Sequence, residues 1–332
     1  MSYKFEQISE PLVLGEGPHW DDRTQALYYI SNQEPTIHKY VLATKEHIKT
    51  KPNPGLRDVI ALNANENPLR REILGTKDIS ITGGYVSFII PVEGKPDYYV
   101  VSLERRFVVV HWDGQNNSEV KIVKELFEVD QQTKNYINDG KVDPRGRLYA
   151  GTMSHQESPG VFAQGLGSLF RLDGSKNIRT LATDVTISNG LAWDEPAKIM
   201  YYVDSKEKRI RRYDWDPDTG DISNLKYVVD FEKSGVEGVP DGGTIDTDGN
   251  LWWAVFDGSC VLQINPKAGK ILRKIEIPAK QVTSCTFGGP NYDILFVTTA
   301  NFTGDQPPPS GATFMVTGLG AKGHPNRNFK LE

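Results

Sequence analysis

The chain carries one hairpin pattern six times. A hydrophobic residue, a polar turn and an aromatic-rich apolar run recur as HWDDRTQALYYIS from His19, PVEGKPDYYVVSL from Pro91, KVDPRGRLYAGTM from Lys141, AWDEPAKIMYYVD from Ala192, TIDTDGNLWWAVF from Thr244 and TFGGPNYDILFVT from Thr286. Most copies are separated by about 50 residues, a period that belongs to propellers and similar arrays. A further β-rich hairpin follows each copy, for instance RIRRYDWDPDTGDI after the fourth, so each repeat supplies the four strands of a propeller blade. Amphipathic helical patterns are scarce, and DG, TG, GG and PG turn signals run throughout. The pattern predicts an all-β chain: one six-bladed β-propeller over residues 1–332, with the N-terminal residues or the C-terminal run TFMVTG closing the ring.

One spacing breaks the period. Between the first and second copies lie about 20 extra residues, polar, Pro- and Asn-containing and without sustained strand alternation, which predicts a loop insertion at about residues 50–84.

Composition narrows the partners. With 332 residues, 38% of them hydrophobic, the chain can bury a large core. A net charge of -5 gives no electrostatic case for nucleic acid or an anionic membrane, and the densest basic run, KEKRIRR at 206–212, reads as a solvated hairpin edge. The start MSYKFEQISE lacks the apolar stretch of a secretory signal, and no apolar run approaches the roughly 20 residues of a spanning helix. Cys260 and Cys285 sit in apolar strand-like contexts and read as buried free thiols. These features predict a cytoplasmic protein whose partner is a small molecule; they leave its oligomeric state open.

Comparing copies at the same register exposes a row of oxygen-bearing residues, each preceding a glycine: Glu16, Asp139 with Asn138 beside it, Asn189 and Asp241. Equivalent positions in a propeller face one mouth of the central channel, so these four copies would make a ring. The alternative is that Asn-Gly and Asp-Gly merely form turns. Pairing LAW with IMYYV across DEPAK sets Trp193 near Ile199 and, allowing for a small bulge, Asp204 near Asn189, and the same alignment sets Ser31 opposite Glu16 and Thr152 opposite Asn138. An oxygen-only set suits Ca²⁺, Mg²⁺ or Mn²⁺ better than a thiolate or poly-histidine zinc site, although Zn²⁺ also accepts carboxylates. Other chemistry is absent: the six histidines show no HxH or HExxH spacing, and there is no GxSxG elbow or phosphate loop. His19 and His155 read as hydrogen-bonded structural groups.

The segments LGEGPHW (14–20), INDGKVDPRGRLYAGTM (137–153), ISNGLAWDEPAKIMYYVDS (187–205), PDGGTIDTDGNLWWAVF (240–256) and TSCTFGGPNYDILFVTTA (283–300) closely resemble the regucalcin, gluconolactonase and luciferin-regenerating-enzyme family, also called the senescence marker protein family. The resemblance runs from about residue 10 to VTGLGAKG at 316–323, apart from the insertion, and SFIIPVEGKPDYYVVSLERR looks especially like the insect members. It implies one divalent cation in the channel, Ca²⁺ foremost, with Glu16, Asn189 and Asp204 as ligands and Asn138 contacting substrate. Two positions depart from the family pattern: Tyr136 stands where sugar-lactone hydrolases carry arginine, and Gln156 where they carry an acid. Arginine offers a fork of donors to a polyhydroxylated substrate, whereas tyrosine offers a ring face and one hydroxyl. The resulting expectation is a metal-dependent hydrolase of a lactone or related cyclic ester, with Asp204 as general base and Asn138, Tyr136 and Gln156 at the substrate. Against it stand a non-catalytic Ca²⁺-binding regulatory protein and a metal-free propeller scaffold.

Overall fold

The computed structural model describes residues 3–51, 84–158 and 160–332; the expected insertion lies almost wholly outside them. Six four-stranded antiparallel sheets form the blades of a β-propeller, as the repeats predict. The innermost strands are Gly15–Asp21, Ile89–Pro91, Asn135–Val142, Ser188–Asp194, Val239–Ile245 and Gln281–Gly288, for blades one to six in turn. Apart from the strands, the described residues contain one 3-10 turn, Ser205–Glu207, and none of their helices is long and apolar enough to cross a membrane.

The doubled aromatics of the repeat have a structural cause. Successive strand residues point to opposite faces, and each face of a blade meets a different neighbour. Tyr28 packs with blade two and Tyr29 with blade six; Tyr201 faces blade five and Tyr202 blade three; Trp252 faces blade six and Trp253 blade four. The buried apolar side chains accordingly fall into six clusters, each between two adjacent blades. Aromatic side chains bury about 150–250 Å² each, so these pairs supply much of the adhesion between blades.

Both candidate closing segments are used. In blade six the strands Gln281–Gly288, Ile294–Ala300 and Phe314–Thr317 come from the C-terminal part, and Lys4–Gln7 adds the outermost strand, pairing Lys4 with Thr317 and Gln7 with Phe314. The chain after Thr317 then crosses one face of the ring. Gly323 bridges Asp246 of blade five, Asn328 bonds His19 and Asp21 of blade one, Phe329 bridges Val92 of blade two and Lys330 N donates to Gly146 O of blade three.

Cys260 and Cys285 are free and buried, as expected. The basic run differs from the expected solvated edge in one residue. Arg211 is buried, donates from Nε to Glu207 Oε2 at 2.7 Å and lies 5.6 Å from the Tyr202 ring, because strand alternation turns it inward.

Candidate metal centre and substrate mouth

Every innermost strand opens its blade, so all six run in the same sense along the channel. Glu16, Asn138, Asp139, Asn189 and Asp241 lie early in their strands and therefore share one mouth. Their glycines are not turn residues. Gly140, Gly190 and Gly242 sit inside strands, and a Cβ on Gly190 would stand 2.5 Å from the Trp253 ring. Close approach between blades is what demands glycine there.

The register departs from expectation in a systematic way. Ser31 pairs with Gly15, Thr152 with Ile137 and Asp204 with Ser188, each one residue short of the expected partner, and Trp193 faces Met200 instead of Ile199. The expected bulge is present, but its extra residue lies on the innermost strand, at the ring position, recurring between Glu16 and His19, Ile137 and Asp139, Asn189 and Leu191, Pro240 and Gly243, and Val282 and Ser284. A one-residue slip moves a side chain to the other face of a sheet. Asp204 therefore does not stand opposite Asn189. Its Oδ2 accepts from Thr186 N at 2.8 Å, its Oδ1 from Ile187 N at 3.0 Å and Lys206 N at 3.2 Å, and Arg211 lies 3.9 Å away. Thr152 likewise turns away, to Asp130 at 2.5 Å.

A belt of hydrogen bonds holds the mouth. Thr283 Oγ1 donates to Gly15 O at 2.6 Å, Ser87 Oγ to Ile137 O at 2.6 Å, Asn138 Nδ2 to Ser188 O at 2.9 Å and Ser205 Oγ to Pro240 O at 2.7 Å. Each donor lies one blade behind its acceptor. Each acceptor immediately precedes a ring residue, so the belt fixes Glu16, Asn138, Asn189 and Asp241 from the neighbouring blade.

The ring is crowded with negative charge. Glu16 is raised well above the ordinary carboxylate range by burial and then by the charges of Asp241 and Asp139. Asp241 is raised by burial and by Asp139, and burial pushes Asp139 up to about 6. Glu16 and Asp241 are thus raised by neighbouring carboxylate charge as well as by burial, whereas Asp139 is raised by burial against the charge of Lys141. Asp241 accepts from its neighbour Gly242 N–H, while Asp241 Oδ1 is buried without a partner. Asn189 Oδ1 accepts from Asn138 Nδ2 at 3.1 Å, and Asn189 Nδ2 donates to Ser205 Oγ at 2.9 Å. That leaves the amide oxygen a second lone pair for a ligand. No three His, Cys, Asp or Glu side chains among the described residues form a ready cage, so a cation here would draw on the Asn189 amide beside Glu16 and Asp241.

An aromatic wall flanks the ring. Tyr136 stacks on Tyr85 with centroids 4.8 Å apart and an interplanar angle of 23°, and both pack against His155 at 4.8 and 5.3 Å. Tyr136 feels the charges of Glu104 and Glu16, which places the wall beside the carboxylates. Glu104 approaches His155 at 3.8 Å and accepts from Tyr85 N at 3.0 Å. Gln156 is exposed on the short strand Gln156–Ser158 and accepts from Gly160 N at 3.2 Å. Tyr85 and Glu104 belong to no repeated pattern, and sequence reasoning missed them.

Residues 14–301 match the family model described as SMP-30/Gluconolactonase/LRE-like region. The chain belongs to this family. Among SMP-30/gluconolactonase/LRE-like proteins it is 33% identical to regucalcin of Danio rerio over 327 residues, covering 97% of this chain and 96% of that one. It is 39% identical to regucalcin of Homo sapiens over 231 residues, covering 68% and 75%. The solved structure of a luciferin-regenerating enzyme superposes with a TM-score of 0.84 at 37% identity, covering 99% of this chain and 100% of that one.

Proposed function

We propose that the ring mouth binds one divalent cation, Ca²⁺ foremost, and hydrolyses a lactone or related cyclic ester with a flat aromatic or aliphatic body. The observation that carries this reading is the unpartnered, buried Asp241 Oδ1, on a carboxylate that with Asp139 raises Glu16. An all-oxygen donor set of this kind suits a hard cation. Glu16, Asn189 and Asp241 would hold it. Asp204, the ligand and general base expected from the sequence, is reassigned to holding the turn at 186–187 and 205–206, because its oxygens serve backbone N–H groups.

When bound, the cation supplies Lewis-acid polarisation of the substrate carbonyl. Asp241 takes the proton of the attacking water through the oxygen that Gly242 N–H does not occupy. Water adds to the carbonyl carbon, the ring C–O bond breaks, and the proton passes to the leaving alkoxide to give a hydroxy acid. Asn138, fixed by Ser188 O, orients the substrate. Tyr136 and Tyr85 offer it an apolar face in place of the guanidinium that would bind sugar hydroxyls.

The test is metal content of the purified protein followed by a lactone panel. Bound metal with turnover of aromatic or aliphatic lactones in preference to aldonolactones supports the reading. Bound metal without turnover favours a Ca²⁺-binding protein that has lost catalysis, and failure to bind any divalent cation refutes both.

A further inference from the structure

One cavity lies away from the carboxylate ring. A cavity of about 220 Å³ opens at the other end of the channel, lined by residues late in the same innermost strands, among them His19, Lys141, Trp193 and Ile245. In three of these strands the late residue lies three or four positions beyond its ring residue, Glu16 to His19, Asn189 to Trp193 and Asp241 to Ile245. At about 3.3 Å per residue, the two sites are roughly 10–13 Å apart along the axis. The crossing tail closes one side, through His324, Asn326 and Arg327.

This mouth has the opposite electrostatic character. Lys141 lies deep in the channel yet keeps contact with solvent through the cavity, and its ammonium donates to Gly243 O at 2.7 Å. Burial lowers its proton affinity, opposed by Cys285 and by Asp139, which sits on the ring side. Arg327 brings a permanent charge to the rim. Neither cation is in an ion pair among the described residues. The lining also holds one carboxylate, Glu195, and Arg145 engages it at 3.1 Å. His19 Nε2 is held by Asn328 Oδ1 at 3.1 Å, and His19 is neutral at pH 7, its pKa lowered to about 4 by burial. The polar groups Thr244, His324 and Asn326 complete the wall beside an apolar part that includes Val142, Pro144, Ala192 and Trp193.

We infer that this far mouth is a second binding site, for a small organic monocarboxylate whose charge meets Lys141 and Arg327 and whose apolar body packs on Trp193 and Pro144. A volume below the roughly 300–1,000 Å³ of drug-sized sites limits the ligand to a small acid. The apolar walls favour an organic acid over inorganic phosphate. The site is independent of the function proposed for the ring.

The experiment is calorimetric titration of the metal-loaded protein at pH 7 and fixed ionic strength with benzoate, with its neutral analogue benzyl alcohol, and with inorganic phosphate. Benzoate is expected to bind one site, with benzyl alcohol and phosphate each about tenfold weaker or more. Arg327→Gln, on the exposed tail, should weaken benzoate several-fold, and Lys141→Met by about tenfold, the loss of one charge-assisted contact. Asp241→Asn should leave benzoate binding unchanged. The inference is overturned if benzoate gives no saturable heat, if benzyl alcohol or phosphate binds as well, if Arg327→Gln has no effect, or if Asp241→Asn abolishes binding and so places the acid at the ring. The last result would leave the metal reading standing, and a failed metal titration would leave the far site standing.

Discussion

Ser205 Oγ donates to Pro240 O at 2.7 Å, tying blade four to the residue that precedes Asp241, while the same hydroxyl accepts from Asn189 Nδ2 at 2.9 Å. One buried serine thus positions two of the three oxygens assigned to the cation. Ser205→Ala should cost about 1–3 kcal/mol of stability and weaken divalent binding together, because it leaves a buried carbonyl and an amide N–H unpaired. Urea unfolding and metal titration of one preparation check this; a stability loss with unchanged metal affinity would mean that the belt does not set the ring geometry.

Asp241→Asn and Asp204→Asn separate the two candidate ligands. The first should lower divalent affinity by about 100-fold or more while leaving chelator-treated protein as stable as wild type, since it relieves repulsion with Glu16 and Asp139. The second should cost about 3 kcal/mol, through lost charge-assisted bonds to Thr186, Ile187 and Lys206 N–H, and change affinity much less. The opposite pattern would restore Asp204 to the ligand set.

Asp139 predicts a pH dependence. Burial raises its folded pKa to about 6, above the unfolded value of about 3.9, so its contribution to stability is complete below that lower value and is lost as pH rises towards 6. In chelator, wild type should therefore lose melting temperature relative to Asp139→Asn between about pH 4 and pH 7. His19 and His38, lowered to about 4 and about 3 by burial, act in the opposite sense but are common to both proteins and cancel in the difference. Parallel curves would refute the burial of the Asp139 charge. Saturating Ca²⁺ should remove the gap at pH 7, since cation and proton compete for the ring.

Gly190→Ala should destabilise by about 1–3 kcal/mol, the usual range for overpacking, because the added methyl meets the Trp253 ring and the Asp241 carbonyl. Thermal unfolding decides it, and a neutral effect would indicate that blades four and five can part at the mouth.

Tyr136→Arg should shift the ratio of kcat/KM towards aldonolactones by about 10- to 100-fold, the worth of one charge-assisted contact, provided Tyr85 and His155 leave the guanidinium room. The comparison is made at equal metal content. An unchanged ratio would show that the aromatic wall does not select the substrate.

The blades were legible because an aromatic in a period-2 apolar run survives in every copy, doubled in four of the six, and the ring residues because Glu16, Asp139, Asn189 and Asp241 each precede a glycine. The pairing of Asp204 was misread for a physical reason: the apolar pattern does not say which strand carries a bulge's extra residue, and it is the innermost strand each time, so Ser31, Thr152 and Asp204 all slipped together. The aromatic wall and the tail were illegible for another. Tyr85, Tyr136 and His155 come from separate segments, and GHPNRNFKLE has no periodicity; only the closed ring brings them to one place.

Blade six takes its outermost strand from Lys4–Gln7 and the other three from beyond residue 280. At about 5–20 residues per second on the ribosome, the first strand waits roughly 15–60 s for Phe314–Thr317 to be made. A strand kept without a partner for that long is an aggregation hazard if it is long and apolar. Here it is four residues, KFEQ, two of them charged and all exposed even after pairing. The segment that closes the ring is thus one that water can hold until its partner strand is made.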